Sequence, residues 1–158
     1  MAGKNSKGGE KRGPATIQNR RASYDYHFEE TVEAGIVLVG SEVKSLFLGH
    51  ANLTDAYCQV KDNELWIFNL DIEPYKYATS YSPDRKRDRK LLMHRREIDG
   101  LRRKSEQKGY SLIPYKIYFS NGKAKVGIAL ARGKKLYDKR DSLKEKAERR
   151  DLRRMGDD

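Results

Sequence analysis

The sequence holds a single cysteine, Cys58, and three histidines, His27, His50 and His94, with no pair at ligand spacing. One cysteine excludes an internal disulfide and cannot build a thiolate metal cluster, so no metal is expected. No apolar run approaches the roughly 20 residues needed to cross a bilayer, and only 37% of the chain is hydrophobic. The opening stretch MAGKNSKGGEKRGPATIQ lacks the apolar segment of a secretory signal, so a cytoplasmic protein with no membrane partner is expected. The P-loop, the metalloprotease helix, the nucleophile elbow and paired-cysteine motifs are missing as well, which leaves neither an enzyme nor a bound cofactor to expect. Glu29, Glu30 and Glu33 have no second acidic cluster with which to complete a two-metal nuclease site.

What the chain does hold is positive charge. Its 158 residues carry 34 Lys and Arg against 23 Asp and Glu, a formal net charge of +11. Such a field attracts polyanions, and nucleic acid is the leading partner class. The length suits one domain with tails. Residues 1–18 are rich in glycine and basic residues and poor in apolar ones, which predicts a disordered basic arm. Residues 132–158 hold eleven Lys or Arg, seven Asp or Glu and few apolar side chains, a basic tail expected to be disordered when free. The core must therefore lie in residues 19–131.

Two hairpins are legible. Asn121-Gly122 suits a type I′ turn and pairs Phe119 with Ala124, Ile117 with Val126, Tyr115 with Ile128 and Ile113 with Leu130, all on one apolar face. Asp62-Asn63 pairs Val60 with Leu65, Cys58 with Ile67, Gln59 with Trp66 and Tyr57 with Phe68. Upstream, the alternation of Tyr24, Tyr26 and Phe28 predicts one long strand reaching Val39, bent near Ala34-Gly35. Ser41 reads as the N-cap of a short helix ending at Gly49, and Ser82-Pro83 as the start of a second, with Leu91, His94, Ile98, Leu101 and Ser105 on its inner face. The sum is a mainly β fold with helices: a small antiparallel barrel of the oligonucleotide-binding (OB) type with two to three flanking α-helices. An open α+β sheet is the alternative at this level. In a barrel, the three glutamates would line its edge, where carboxylates can accept hydrogen bonds from base or ribose groups.

Basic residues come in blocks: Arg20-Arg21, the run from Arg85 to Lys90, Arg95-Arg96 with Arg102 to Lys104, and Arg132 to Lys135. One block is an ordinary solvated surface, but several on one small domain accumulate phosphate contacts and counterion release. Tyr24, Tyr26, Tyr75, Tyr77 and Tyr81 are candidates for stacking on unpaired bases, whereas Tyr115 reads as core. In the tail, Leu136, Leu143, Ala147 and Met155 stand seven, four and eight residues apart among interleaved charges, the pattern of a helix that forms on a polyanionic groove.

Specific strings add a family. Asn19-Arg20-Arg21-Ala22, Glu33-Ala34-Gly35, Gly40-Ser41-Glu42-Val43-Lys44-Ser45-Leu46, Asp55-Ala56-Tyr57, Arg89-Lys90-Leu91-Leu92, Lys108-Gly109-Tyr110 and the stretch Gly133 to Arg140 together resemble the small protein B family from about residue 15 onward. The resemblance implies an OB-type barrel that binds the tRNA-like domain of tmRNA. It further implies delivery of that RNA, with elongation factor Tu, to stalled ribosomes in trans-translation; a monomer is expected. Carried onto this chain, Asn19, Glu33, Leu92 and Lys125 would contact tmRNA, with Arg20, Arg21 and Tyr26 as neighbours. Gly133, Lys134, Lys135, Tyr137, Asp138, Lys139 and Arg140 would lie in the decoding centre, the tail beyond them helical in the empty mRNA channel. Some relatives have His where Tyr137 stands; the tyrosine keeps a stacking ring but supplies no imidazole proton. The rival readings are a ribosomal or initiation-factor-like protein that holds rRNA constitutively, and an RNA-processing enzyme.

Overall fold

Asn121 and Gly122 both adopt positive φ, 51° and 77°, as a type I′ turn requires, and so do Asp62 and Asn63, at 53° and 63°. Both hairpins follow. The structure, a computed structural model, describes residues 13–78, 82–134, 140 and 143–150. Its elements are β1 (Ile17–Gln18), α1 (Arg20–Asp25), β2 (Tyr26–Ile36), α2 (Gly40–Phe47), β3 (Ala51–Asn52), β4 (Tyr57–Lys61), β5 (Glu64–Phe68), β6 (Asp71–Ile72), β7 (Arg89–Leu92), α3 (Arg95–Ser105), β8 (Tyr110–Ser120) and β9 (Lys123–Gly133). Residues 143–150 form a further helix.

The sheet runs β1-β8-β4-β5-β7-β2-β9, and β9 pairs back onto β8, so the ladder closes on itself as a mainly β, OB-like fold flanked by helices. Leu46, Leu53, Leu65, Ile67, Leu70, Leu91, Ile117, Val126 and Ile128 fill the interior. On the β4–β5 hairpin every expected pair is found. On β8–β9 the expected register holds from Phe119↔Ala124 to Ile117↔Val126 and then shifts, so that Pro114, not Tyr115, faces Ile128, and Leu112, not Ile113, faces Leu130. The cause is a bulge between Pro114 and Lys116. Pro114 has no N–H to give the ladder, and strands tolerate proline chiefly at edges and bulges. Tyr115, expected in the core, is instead half-buried beside Phe28 in a second cluster with Ala22, Ile113, Ala129 and Ala131.

Four further expectations are corrected. Tyr24 lies in α1, and the first long strand runs only from Tyr26 to Ile36, with its irregularity between Phe28 and Glu30, not at Ala34-Gly35. The N-cap of α2 is Val39, not Ser41; the Glu42 carboxylate turns back to accept the Val39 N–H at 3.0 Å. Ser82-Pro83 does not begin a helix: Leu91 is a strand residue of β7, and α3 starts after His94 with Ile98 and Leu101 as its buried face. Ile17 and Gln18, placed by composition in the arm, pair with Ile117 and Lys116, because Ile17 gains a buried site at the edge of β8.

Residues 143–150 are helical with every residue exposed. Burial contributes nothing there. The helix rests on good helix formers and on i,i+4 placements such as Lys144 with Glu148 and Glu145 with Arg149. Residues 1–12, Tyr81, Lys135, Leu136, Tyr137, Asp138, Lys139 and Met155 lie outside the described residues.

Candidate nucleic-acid interface

Strand pairing assembles one face from distant parts of the chain. Gly35 of β2 faces Leu92 of β7 on one side and Lys125 of β9 on the other, and Lys125 in turn faces Tyr118 of β8. In the next row of the same face, Gly127 stands between Glu33 and Lys116. Their sequence neighbours Ala34, Leu91, Val126 and Ile117 are buried, so these rows form the outside of the barrel. Leu92 is 52% exposed, Glu33 is exposed, and Lys125 and Lys116 are half-buried. Lys116 Nζ sits 4.7 Å from the centre of the Tyr118 ring and 5.6 Å from that of Tyr115.

The two glycines flatten the middle of this face. A Cβ on Gly127 would stand 2.9 Å from Tyr115 Cζ and 3.0 Å from Lys116 Cγ, so the ring and the lysine stem lie directly over its backbone. Gly127→Ala is expected to cost about 1–3 kcal/mol of stability, the range for overpacking a filled site, read as a lower Tm; an unchanged Tm would show that Tyr115 moves aside freely.

The second cluster joins this face to α1. Tyr115 and Phe28 rings lie 5.4 Å apart, with Tyr26 and Ala22 in the same cluster. Asn19 is the N-cap that places α1: its Oδ1 accepts the Ala22 N–H at 3.2 Å, and its Nδ2 donates to the carbonyls of Leu53 and Pro114, each at 3.2 Å. With 7% of its surface exposed, Asn19 has its side chain engaged within the protein and faces little solvent. Arg20 and Arg21, which follow, are exposed, and the Arg21–Asp25 pair at 3.4 Å is open enough to water to be worth little. An open cleft of about 440 Å³ between α1 and β8 is lined by Arg20, Phe28, Tyr115 and Lys116, with Lys146 of the exposed helix at its rim.

The root of the tail is fixed to α1. Gly133 pairs with Tyr26, the Lys134 N–H donates to Asp25 O at 2.8 Å, and Lys134 Nζ donates to Ser23 O at 2.9 Å. Just before it, Arg132 donates to Glu29 at 2.5 Å while the Tyr110 hydroxyl donates to the other Glu29 oxygen at 2.9 Å. Those hydrogen bonds, from Arg132 first and then Tyr110, hold the Glu29 carboxyl below its usual range. Glu30 is likewise engaged, by Lys104 at 2.7 Å. Arg140 is exposed. Among the described residues no cluster of three His, Cys, Asp or Glu side chains could hold a metal ion.

The basic run from Arg85 to Lys90 is not a uniform cationic surface. Arg89 is fully buried against Glu42, Arg87 also pairs with Glu42, Arg85 with Asp71 and Lys90 with Glu64, while Lys86 is exposed. Conversely, Lys116, Tyr115 and Tyr118 stand on or beside this face without having been singled out for it. The one available signal is the alternation of Lys116 and Tyr118 against Ile117 and Phe119.

Comparison with known proteins points the same way. The family model described as "SmpB protein" matches residues 16–158. The SsrA-binding protein of Syntrophomonas wolfei is 52% identical over 138 residues, covering 87% of this chain and 88% of that protein. That of Staphylococcus carnosus is 49% identical over 145 residues, covering 91% and 93%. A solved structure described as "tmRNA-SmpB: a journey to the center of the bacterial ribosome" is 48% identical with a TM-score of 0.66, over 77% of this chain and 85% of that one.

Proposed function

This chain belongs to the SmpB family, whose members are RNA-binding proteins and not enzymes, and from that premise we propose that it binds tmRNA and acts with it on stalled ribosomes in trans-translation. The tRNA-like domain of tmRNA docks on the outer face of β7-β2-β9-β8 and on α1. The observation that carries this reading is the convergence of Leu92, Glu33 and Lys125 on adjacent strands of one exposed face. Lys125 and Lys116 supply cations for phosphates, Glu33 accepts from base or ribose groups, and the exposed Leu92 offers an apolar contact to a sugar or base. Arg20 and Arg21 extend the cationic surface, with Tyr26 packed against the cluster of Ala22, Ile113, Ala129 and Ala131. Asn19 acts by holding α1 in place.

In the same reading the protein, a monomer, is delivered to the ribosome with elongation factor Tu, its body standing in for the anticodon arm that the tRNA-like domain lacks. Gly133 and Lys134, anchored to β2 and α1, launch the tail. Lys135, Tyr137, Asp138, Lys139 and Arg140 then meet the decoding centre, and the residues beyond enter the mRNA channel as a helix. A helix and an mRNA compete for that volume, so the tail reads channel occupancy directly.

Lys125→Ala tests the docking face. Its affinity for a tRNA-like fragment of tmRNA is expected to fall and the slope of log K against log salt to decrease by about one. An affinity and slope equal to wild type would remove Lys125 from the interface and the reading with it.

A further inference from the structure

Outside the face just described, α2 and the connection between β6 and β7 build a second cluster of aromatic and basic side chains. The Tyr75 and Tyr77 rings meet edge-to-face, with centroids 5.7 Å apart and planes at 70°. Lys44 Nζ lies 5.2 Å from the centre of the Tyr75 ring, and Lys76 Nζ lies 5.6 Å from that of Tyr77. Tyr77 is 69% exposed, and both lysines are exposed. A single exposed tyrosine is unremarkable on a protein surface. Two rings in contact, each with its own ammonium group, form a different object.

The base of the cluster is held by hydrogen bonds. Ser45 Oγ donates to Glu73 O at 2.7 Å, Glu73 N–H to His50 O at 3.0 Å, and Ile72 N–H to Arg85 O at 3.0 Å. The buried Arg89 guanidinium ties both legs of the connection together, donating to Leu70 O at 2.7 Å on the incoming leg and to Arg85 O at 3.1 Å on the outgoing one. Within the loop, the Ala78 N–H closes a turn on Tyr75 O at 3.1 Å. The tyrosines therefore stand on a hydrogen-bonded base and against each other, which limits the side-chain ordering cost of binding.

We propose that Tyr75 and Tyr77, with Lys44 and Lys76, form a second RNA contact, a platform on which unpaired bases stack while the ammonium groups take the neighbouring phosphates. This rests on the reading of the chain as an RNA-binding protein and adds to it a site for single-stranded nucleotides, separate from the face that holds a folded RNA. Every base has a π-face, so such a platform is tolerant of sequence. It favours RNA over an acidic protein segment because a carboxylate would satisfy the lysines and leave the rings without a partner. Because the rings stand at 70° to each other, a base stacked on one meets the other edge-on, which suits a turned single strand better than a regular helix.

The test uses the full chain and two probes: a labelled, unstructured octaribonucleotide and a tRNA-like fragment of tmRNA, each titrated at several salt concentrations. Tyr77→Ala is expected to weaken octamer binding about tenfold, in the range for one stacked base, by a ratio that salt does not change. Tyr77→Phe keeps the ring and is expected to bind within about twofold of wild type. Lys125→Ala is expected to leave octamer binding unaltered while weakening the tRNA-like fragment. The exposure of Tyr77 means that neither of its variants threatens the fold. If the octamer binds Tyr77→Ala as it binds wild type, or does not bind wild type, the platform is overturned, and undiminished binding of the tRNA-like fragment leaves the docking face standing. If the octamer depends on Tyr77 while the tRNA-like fragment is ignored, the platform stands and the tmRNA reading falls.

Discussion

Arg89→Ala is expected to destabilise the protein by about 3–5 kcal/mol, the range for removing one partner of a buried ion pair. Arg89 is fully buried, with Nε and Nη2 donating to Glu42 Oε2 at 2.9 and 2.5 Å and Nη1 donating to Leu70 O and Arg87 O at 2.7 and 3.2 Å. Alanine would leave those carbonyls without their donor and the Glu42 carboxylate, itself 3% exposed, with only Arg87 and the Val39 N–H. A loss of that size is a large part of the roughly 5–15 kcal/mol that holds a domain folded. Arg89→Lys keeps the charge without the fork and is expected to fall between the two. Thermal unfolding followed by circular dichroism measures both, and a Tm for Arg89→Ala within a degree or two of wild type would refute the argument.

The same pair has a pH signature. Burial pushes the Glu42 carboxyl up, but hydrogen bonds from Arg87, Arg89 and the Val39 N–H pull it down further, and the net position is below its ordinary value. A carboxyl depressed in the folded state adds stability above its unfolded pKa, about 4.3 for glutamate, and loses it as pH falls through the folded value. Wild-type Tm should therefore drop on acidification below that point. In Arg89→Ala the drop should be smaller, because part of the depression has gone.

Deleting residues 138–158 is expected to abolish tagging on stalled ribosomes while leaving affinity for the tRNA-like fragment within about threefold, less than the roughly 1.4 kcal/mol of a tenfold change. Charge is the reason the two effects separate. The deleted stretch holds eight Lys or Arg and seven Asp or Glu, so the net charge falls only from +11 to +10 and the long-range attraction to RNA persists. The proposed docking face lies on β2, β7, β8, β9 and α1, and the tail root is already fixed at Lys134. Binding measured by anisotropy and tagging measured in a reconstituted translation reaction would separate the two. Parallel loss of both would show that the tail is part of the RNA grip.

Much of this was legible in the residues. The hairpins were, because turn chemistry at Asp62-Asn63 and Asn121-Gly122 agrees with apolar alternation on both flanks. The joining of Glu33, Leu92 and Lys125 into one surface was not: it depends on pairings between strands far apart in sequence, and here the family resemblance named residues that local pattern could not join. Alternation also fails at a bulge, which moved Tyr115 from the expected core to the outer surface; Pro114 was the warning. Arg89 was hidden by its neighbours, since a basic run reads as a solvated face. Its placement two residues before the buried Leu91, on the same side of β7, is the signal that an arginine there points inward. Asn19 also caps α1, a role that its position ahead of a short helix could have suggested.

The account turns on a cationic body that selects one folded RNA. Its most direct test is to isolate the full chain from cells at mild salt and sequence the RNA that accompanies it. The account predicts tmRNA enriched far above both transfer and ribosomal RNA. Ribosomal RNA alone, with no tRNA-shaped species retained even in dilute buffer, would contradict it.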